Sequence, residues 1–230
     1  MYKILLIAIL SLCLNSCWPG FLLFNTKKEA KAKASVKYTG KSTNIEKYIN
    51  INGFYIKDDG RPLLVKDTVA GFPGSYSGRN CVMFLDDGTI AEFTLYKDSC
   101  CKTEDDIRDN LYRYINERKI PITRCGIYKI VGNDIYTNSF DRYQYIWTVE
   151  NPIYRIEGYE HLLLIHCSLG WPRISNDIIF RKYVFFPINE QTEPLNMRYV
   201  NRYVKKQKWL WEDEADWKKW KQEQKETRRK

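Results

Sequence analysis

Short runs of apolar residues alternate with polar turn signals along residues 48–188. Within the runs, hydrophobic and polar positions tend to alternate, which is typical of strands in an antiparallel sandwich or barrel. The clearest hairpin joins residues 81–85 to residues 90–96 through Asp86-Asp87-Gly88-Thr89. A two-residue loop at Asp87-Gly88 would place one set of apolar side chains on a single face. That predicted face consists of Val82, Phe84, Ala91, Phe93 and Leu95.

The same pattern predicts the remaining strands. A second hairpin turns at Gly132-Asn133, and a third turns across residues 157–160. Residues 51–57 and 183–186 have the composition of a first and a last strand. The run 162–165 is apolar on both faces, which is typical of a central strand whose outer face is covered by a helix.

Two segments have helical patterns. In the first, Thr103 is an N-cap with Asp106 three residues later, followed by a stripe on one face. The stripe consists of Ile107, Leu111, Tyr114 and Ile115. The second helix is expected after Pro194, with Leu195, Tyr199, Tyr203 and Leu210 on one side. The predicted fold class is therefore mainly β: an antiparallel β-barrel with one inserted helix and a C-terminal helix.

The N-terminus has the pattern of an export signal. A positive start, Met1-Tyr2-Lys3, precedes eleven uncharged residues, 4–14, a run too short to cross a bilayer. The next residues, Leu14-Asn15-Ser16-Cys17, resemble the bacterial lipobox. This resemblance implies cleavage between Ser16 and Cys17 and lipid attachment to Cys17. Trp18 in place of Asp favours the outer membrane as the destination.

The alternative is an uncleaved membrane helix over residues 4–24, which would reach a spanning length of about 20 residues. Pro19 and Gly20 interrupt that run and argue against it. The following residues, to 43, carry six lysines among small residues. Such a tether would lie on anionic headgroups or would be a solvated linker.

Composition and charge limit the classes of binding partner that the chain can have. The 230 residues, 44% hydrophobic and 28% charged, suit one domain with appendages. Lys and Arg number 37 against 28 Asp and Glu, and a basic surface suits nucleic acid, anionic membrane or acidic glycans. Export argues against nucleic acid and leaves the membrane and envelope components. We predict a signal peptide at 1–16, a lipid-anchored basic tether at 17–43, a barrel domain at 44–190 and a Trp- and Lys-rich helix and tail at 191–230.

The cysteines leave two interpretations open. After cleavage and lipidation, an odd number remains: Cys81, Cys100, Cys101, Cys125 and Cys167. An exported chain can hold disulfides, although spacing does not fix their pairing. A structural disulfide near Cys100-Cys101 is our expectation, and buried thiols are the alternative.

The chain carries no recognised catalytic or metal-binding motif. His161 and His166 lie five residues apart on one predicted strand, so regular alternation would point them to opposite faces. The acidic pairs precede turn glycines or cap a helix. We therefore expect a protein that is not an enzyme and that holds no metal and no cofactor.

Over residues 48–190, the order of the predicted elements resembles that of the lipocalin-like (calycin-type) lipoproteins of diderm bacteria. The residues that carry the resemblance are Gly53-Phe54-Tyr55, the Asp-Asp-Gly-Thr hairpin, the Gly-Ile-Tyr-Lys-Ile run at 126–130 and the Tyr-Val-Phe-Phe-Pro run at 183–187. The resemblance implies a small barrel with a side-chain-filled or ligand-holding interior.

Aromatic residues supply the candidate contacts. Tyr143, Tyr145 and Trp147 alternate onto one face and would line the mouth of a barrel or pack its core. Near the C-terminus, four tryptophans are interleaved with lysines, a composition that suits a membrane interface or a partner surface. These are Trp209, Trp211, Trp217 and Trp220. The alternative is a helix whose tryptophans pack on the barrel.

Two functions follow from these expectations. In the first, a lipid-anchored envelope protein binds a small apolar ligand or an envelope lipid in its barrel. In the second, a filled barrel acts as an interaction or structural protein through its loops or its C-terminus.

Overall fold

The computed structural model describes residues 27–60, 63, 78–95, 101–141, 149–166, 180–189 and 204–227. The strands are β1 (Gly53–Lys57), β2 (Arg79–Phe84), β3 (Thr89–Leu95), β4 (Ile122–Val131), β5 (Asp134–Asp141), β6 (Val149–Glu150), β7 (Ile153–Gly158), β8 (His161–His166) and β9 (Arg181–Pro187). The α-helices are α1 (Lys27–Lys33), α2 (Glu104–Asn116) and α3 (Glu214–Thr227). Two short 3-10 helices span Ile45–Lys47 and Lys208–Leu210.

Eight of these strands close into an antiparallel up-and-down barrel. Each strand pairs with its successor along the chain, and β9 closes the barrel by pairing with β1. The two-residue β6 lies in line with β7, since both pair with the same side of β5. This is the up-and-down topology of small closed β-barrels. The predicted fold class, including the inserted helix α2 and a C-terminal helix, is confirmed.

The two ends of the barrel differ in their connections. At one end, which we call the turn end, β2–β3, β4–β5 and β7–β8 are joined by tight turns. At the opposite end, the loop end, longer segments join β1 to β2, β3 through α2 to β4, β5 to β6 and β8 to β9. Long connections on a rigid barrel are the usual place for binding groups.

The first hairpin has a longer loop than its sequence predicts. Leu85 N–H donates to the Thr89 carbonyl, so the loop holds three residues and ends in Gly88 at φ 83°. This is the type of three-residue hairpin in which a glycine takes the left-handed conformation. Met83 therefore pairs with Ala91, and Phe84 pairs with Ile90. The one-residue shift moves Val82 and Phe84 to the face opposite Ala91, Phe93 and Leu95, which corrects the predicted face.

The second hairpin matches its prediction. Val131 pairs with Asp134 across the two-residue loop Gly132-Asn133, and Gly132 has a φ of 61°. A positive φ at the first central residue is what a tight hairpin turn of this length requires.

Two apolar clusters lie on the two faces of the barrel wall. The inner cluster takes residues from all eight strands and lines the barrel interior, with Ile45 and Ile49 of the N-terminal segment at its turn end. The outer cluster lies between the wall and the elements that cover it, including α2. Thr103 caps α2 by accepting from Asp106 N–H at 3.0 Å, and the predicted stripe of four residues is buried. The prediction for this helix is confirmed.

The N-terminal segment packs along the outer wall. Ala30, Ala34, Val36 and Tyr38 are buried in the outer cluster, and Val36 N–H donates to the Asn138 side chain at 2.6 Å. Farther along, Thr43 N–H donates to the Asp86 carbonyl at 2.8 Å, at the turn end. From residue 30 onward, the segment predicted as a tether is therefore part of the folded body.

The C-terminal helix begins later than its sequence predicts. Leu210, which was placed on that helix, lies in the 3-10 turn Lys208–Leu210, and α3 starts only at Glu214. Residues 190–203, with the other predicted helix positions, lie outside the described residues. Tyr38 joins this region to the N-terminal segment through hydrogen bonds with Leu210 and Glu212 at 2.8 and 2.9 Å.

Candidate functional site

The interior of the barrel is divided into two layers of opposite character. Toward the turn end, the inner face carries an aromatic layer whose rings meet edge to face or tilted, with centroids 5.4 to 6.1 Å apart. We call this set the aromatic floor. It consists of Tyr55, Phe84, Tyr128, Tyr154, Tyr183 and Phe185. Such ring pairs stabilise the packing by about 0.5–1.5 kcal/mol each beyond the area they bury.

Two tyrosine hydroxyls tie the aromatic floor to the turns below it. Tyr55 donates to the carbonyls of Asn50 and Tyr159, and Tyr128 donates to the carbonyl of Leu85 at 2.7 Å. Burial raises the pKa of both phenols well above their usual range, so both remain neutral donors. The turn end is therefore filled and sealed by side chains.

Toward the loop end, the inner face turns polar and charged. Glu150 Oε2 lies 2.7 Å from Arg124 Nη1, and Glu92 Oε2 lies 3.6 Å from the same nitrogen. The Ser139 hydroxyl donates to the other oxygen of Glu92. We call Glu92, Arg124, Ser139 and Glu150 the interior charge cluster. Its four residues lie on β3, β4, β5 and β6, toward the loop end of the barrel.

Register explains why these four side chains meet. Glu92 pairs with Arg124, and Ser139 pairs with Glu150, each across neighbouring strands. Glu92 also pairs with Val82 of the inner cluster, so the pleat turns its side chain inward. A bulge between Glu92 and Phe93 shifts the β3–β4 register just beyond the cluster, toward the loop end.

Burial within the interior charge cluster is uneven. The side chains of Glu150 and Glu92 are 6% and 16% exposed, whereas that of Arg124 is 32% exposed. Removing charges from water costs free energy, and a structural barrel gains little from charged groups in its interior. Arg124 is therefore the most exposed of the three charged side chains in the cluster.

Sequence reasoning missed this cluster. The available signal was Glu92, the single charged residue in the run Thr89–Leu95. Its partners Arg124 and Glu150 lie 32 and 58 residues farther on in the sequence, so only strand register brings them together.

Several predicted site residues lie outside the described residues. These are Ser16, Cys17, Tyr143, Tyr145 and Trp147, and the predictions for signal cleavage, lipid attachment and ligand contact remain predictions. By sequence, the last three belong to the connection between β5 and β6, which joins strands at the loop end.

The four C-terminal tryptophans contact the outer cluster. Trp211 is buried, with its ring 4.7 Å from Tyr38 and 5.9 Å from Trp220. Trp209 meets the ring of Phe140, and Lys221 lies 4.8 Å above the ring of Trp217. These tryptophans hold the C-terminal segment on the barrel, and three of them keep part of their rings at the surface.

Cysteine and histidine positions add no second site in the described part of the chain. Cys81, Cys101 and Cys125 are buried in the outer cluster, while Cys100 and Cys167 lie outside the described residues. A bulge in the pairing of β7 with β8 lets His166 pair with Ile153, whose side chain faces outward. The regular alternation that the sequence predicts between His161 and His166 therefore does not hold. Within the described ranges, no group of three or more potential metal ligands occurs.

Comparisons with protein-family models, curated proteins and solved structures find no match for this chain. Within the residues described, no helix has both the length and the apolar character needed to cross a membrane.

Proposed function

We propose that this chain is a lipid-anchored envelope protein, not an enzyme, whose barrel binds a small, largely apolar ligand or an envelope lipid. The observation that carries the proposal is the contrast between the two ends of the barrel interior. The turn end is sealed by the aromatic floor and the 3-10 helix Ile45–Lys47, whereas the loop end places charged side chains inside the wall. A ligand would enter from the loop end, with its apolar part toward the aromatic floor.

The anchor in this proposal rests on the lipobox-like residues Leu14 to Cys17. We expect wild-type protein to gain the mass of acyl chains at Cys17 and to partition into membranes. Cys17→Ala should remove that mass. Membrane-bound, uncleaved protein in both forms would contradict the lipobox interpretation and leave the barrel's function open.

Native mass spectrometry of the full-length chain, extracted from membranes in non-ionic detergent, tests ligand binding. The full chain is required because Ala30, Ala34, Val36 and Tyr38 belong to the outer cluster. We expect a discrete additional mass that disappears on solvent extraction. A clean unbound mass, together with no uptake of an environment-sensitive apolar dye, would overturn the proposal.

One observation favours the alternative of an interaction protein. A groove of about 430 Å³ lies on the outer wall, where Val131 is 53% exposed, and Lys129, Tyr136, Ile153 and His166 line it. An empty barrel combined with a partner that protects this groove from labelling would support that alternative.

A further inference from the structure

The positive charge of the chain is concentrated toward its two ends. Residues 25–43 carry six lysines and one glutamate, and residues 204–230 carry ten basic and six acidic residues. Residues 44–203, between them, carry 20 basic and 21 acidic residues and are therefore close to neutral. Nearly all of the net charge of +9 belongs to two segments that lie far apart in the sequence.

The structure packs both segments on the outer side of β5. Val36 N–H donates to the side chain of Asn138, and Trp209 meets the ring of Phe140, two residues farther along the same strand. Lys37 Nζ donates to the Trp209 carbonyl at 3.0 Å, which joins the two segments directly. The basic residues of both ends therefore share one side of the barrel.

Lysines crowd together where the C-terminal segment leads into α3. Lys208 and Lys218 share the carboxylate of Glu214, at 2.7 and 3.1 Å. Lys208 and Lys221 lie 5.9 and 4.8 Å from the centre of the Trp217 ring. Three ammonium groups thus gather beside one carboxylate. They leave a local excess of positive charge, which an anionic partner would neutralise.

These side chains form one exposed surface, which we call the basic face. Its lysines are Lys28, Lys31, Lys37, Lys208, Lys218 and Lys221. Asp216 and Glu223 lie about half a turn around α3 from Lys218 and Lys221, so these two acidic residues are on the other side of the helix. Trp217 is half-buried among the lysines, and tryptophan beside lysine suits the headgroup region of a bilayer.

The predicted anchor would bring a bilayer to this face. Lys27, the first residue of α1, follows Cys17 by ten residues, so a lipid on Cys17 would hold α1 within about 36 Å of the bilayer. We propose that the basic face docks on the anionic surface of a lipid bilayer, with the outer side of β5 toward the headgroups. This inference rests on the proposed function, because it assigns the orientation of the anchored protein.

Lysine acetylation of the full-length chain tests this inference. The chain is reconstituted into phosphatidylcholine vesicles and into vesicles with about one third phosphatidylglycerol, and peptide mass spectrometry measures the labelling rate of each lysine. In the anionic vesicles, Lys28, Lys31 and Lys221 should label at least about fivefold more slowly, the factor that the attraction of one lysine to such a surface represents. Lys182 is exposed on β9, three strands from β5 around the barrel, and its rate should not change. In 1 M salt, where the screening length is about 3 Å, the protection should disappear.

A triple variant tests whether the two ends act as one surface. Lys28→Gln/Lys31→Gln/Lys37→Gln changes only exposed side chains of the N-terminal segment. It should reduce the protection of Lys221, in the C-terminal segment, to less than about twofold, because the docking surface has lost half of its lysines.

The matched control removes the same charge from other parts of the protein. Lys47→Gln/Lys102→Gln/Lys182→Gln replaces three exposed lysines, at the turn end, before α2 and on β9. This variant should keep the protection of the basic face unchanged. An equal loss of protection in both triple variants would show that net charge, and not the basic face, attracts the protein to the bilayer.

The outcomes separate the two proposals. If vesicle-bound protein labels equally in both lipid compositions, the docking is overturned, and the anchor and the binding barrel remain. If heparin protects these lysines and anionic vesicles do not, the docking is also overturned, and the basic face binds a polyanion. Protein without acyl mass that associates only with anionic vesicles would support the docking and contradict the anchor. If it associates with neither vesicle, both fail. If the N-terminal triple variant does not fold, the lipid and salt comparisons on the wild type still decide the question.

Discussion

Phe84 offers a decisive test of the barrel's inner face. Its side chain is 2% exposed, and its ring lies 5.4, 5.8 and 6.1 Å from those of Tyr128, Tyr154 and Tyr55. Replacing a buried phenylalanine by alanine costs about 3–5 kcal/mol of unfolding free energy, because apolar area is lost and a cavity remains. Phe180→Ala, at a side chain that is 70% exposed, should stay within about 0.5 kcal/mol.

A double-mutant cycle assigns Phe84 to its face. Phe84→Leu and Tyr154→Leu each remove one ring of a perpendicular pair, so their combined effect should differ from the sum by about 0.5–1.5 kcal/mol. Phe84→Leu combined with Phe93→Leu should be additive within about 0.5 kcal/mol, since Phe93 belongs to the outer cluster.

Urea titration of the full-length protein, followed by far-ultraviolet circular dichroism, gives the unfolding free energies. The slope of free energy against urea should stay constant across the variants, so that the midpoints can be compared. Coupling between Phe84 and Phe93, with additivity between Phe84 and Tyr154, would refute the three-residue loop and restore the two-residue register. A loss below about 1.5 kcal/mol for Phe84→Ala would refute the packed interior.

The remaining predictions concern the close approach of β4 and β5, the start of α2 and the buried thiol of Cys81. Gly126→Ala should cost about 1–3 kcal/mol, because its Cβ would lie 2.3 Å from a backbone oxygen of β5, whereas Gly158→Ala should be tolerated. A hydrogen bond from Lys102 N–H lowers the pKa of Asp106, so its stabilising effect is present above the unfolded pKa near 4 and is lost as pH falls through the lower folded value. Asp106→Asn should therefore destabilise the protein at neutral pH and have a vanishing effect in acid. Burial raises the pKa of the Cys81 thiol well above its usual range, so native protein should resist iodoacetamide at Cys81, and urea-unfolded protein should react.

Each of these three predictions would be contradicted by a specific result. Equal midpoints in urea for the two glycine variants would show that β4 and β5 do not approach so closely. The exposed Asp105→Asn serves as the control for Asp106→Asn. If the difference in unfolding free energy between wild type and Asp106→Asn did not change with pH, the ionised Asp106 carboxylate would not be the stabilising group. Rapid alkylation of Cys81 in folded protein, mapped by peptide mass spectrometry, would place that thiol at the surface.

Local sequence determined the elements whose signals lie close together in the chain. Thr103 and the stripe from Ile107 to Ile115 specify α2, because a cap and a 3.6-residue period need only neighbouring residues. The Gly132-Asn133 hairpin follows for the same reason, since its turn fixes the register of both strands. Alternation across several hairpins was enough to predict an antiparallel barrel.

Tertiary structure decided what depended on one residue of register or on distant pairing. Asp86-Asp87-Gly88 fits a two-residue and a three-residue loop equally well on local grounds, and only pairing in the closed barrel selects the longer one. That choice reverses the face of Phe84. The interior charge cluster arises likewise, because Glu92, Arg124 and Glu150 are far apart in sequence and meet only when the strands close around a common interior. Strand character is a property of neighbouring residues, whereas the inner face of a barrel is a property of all eight strands together.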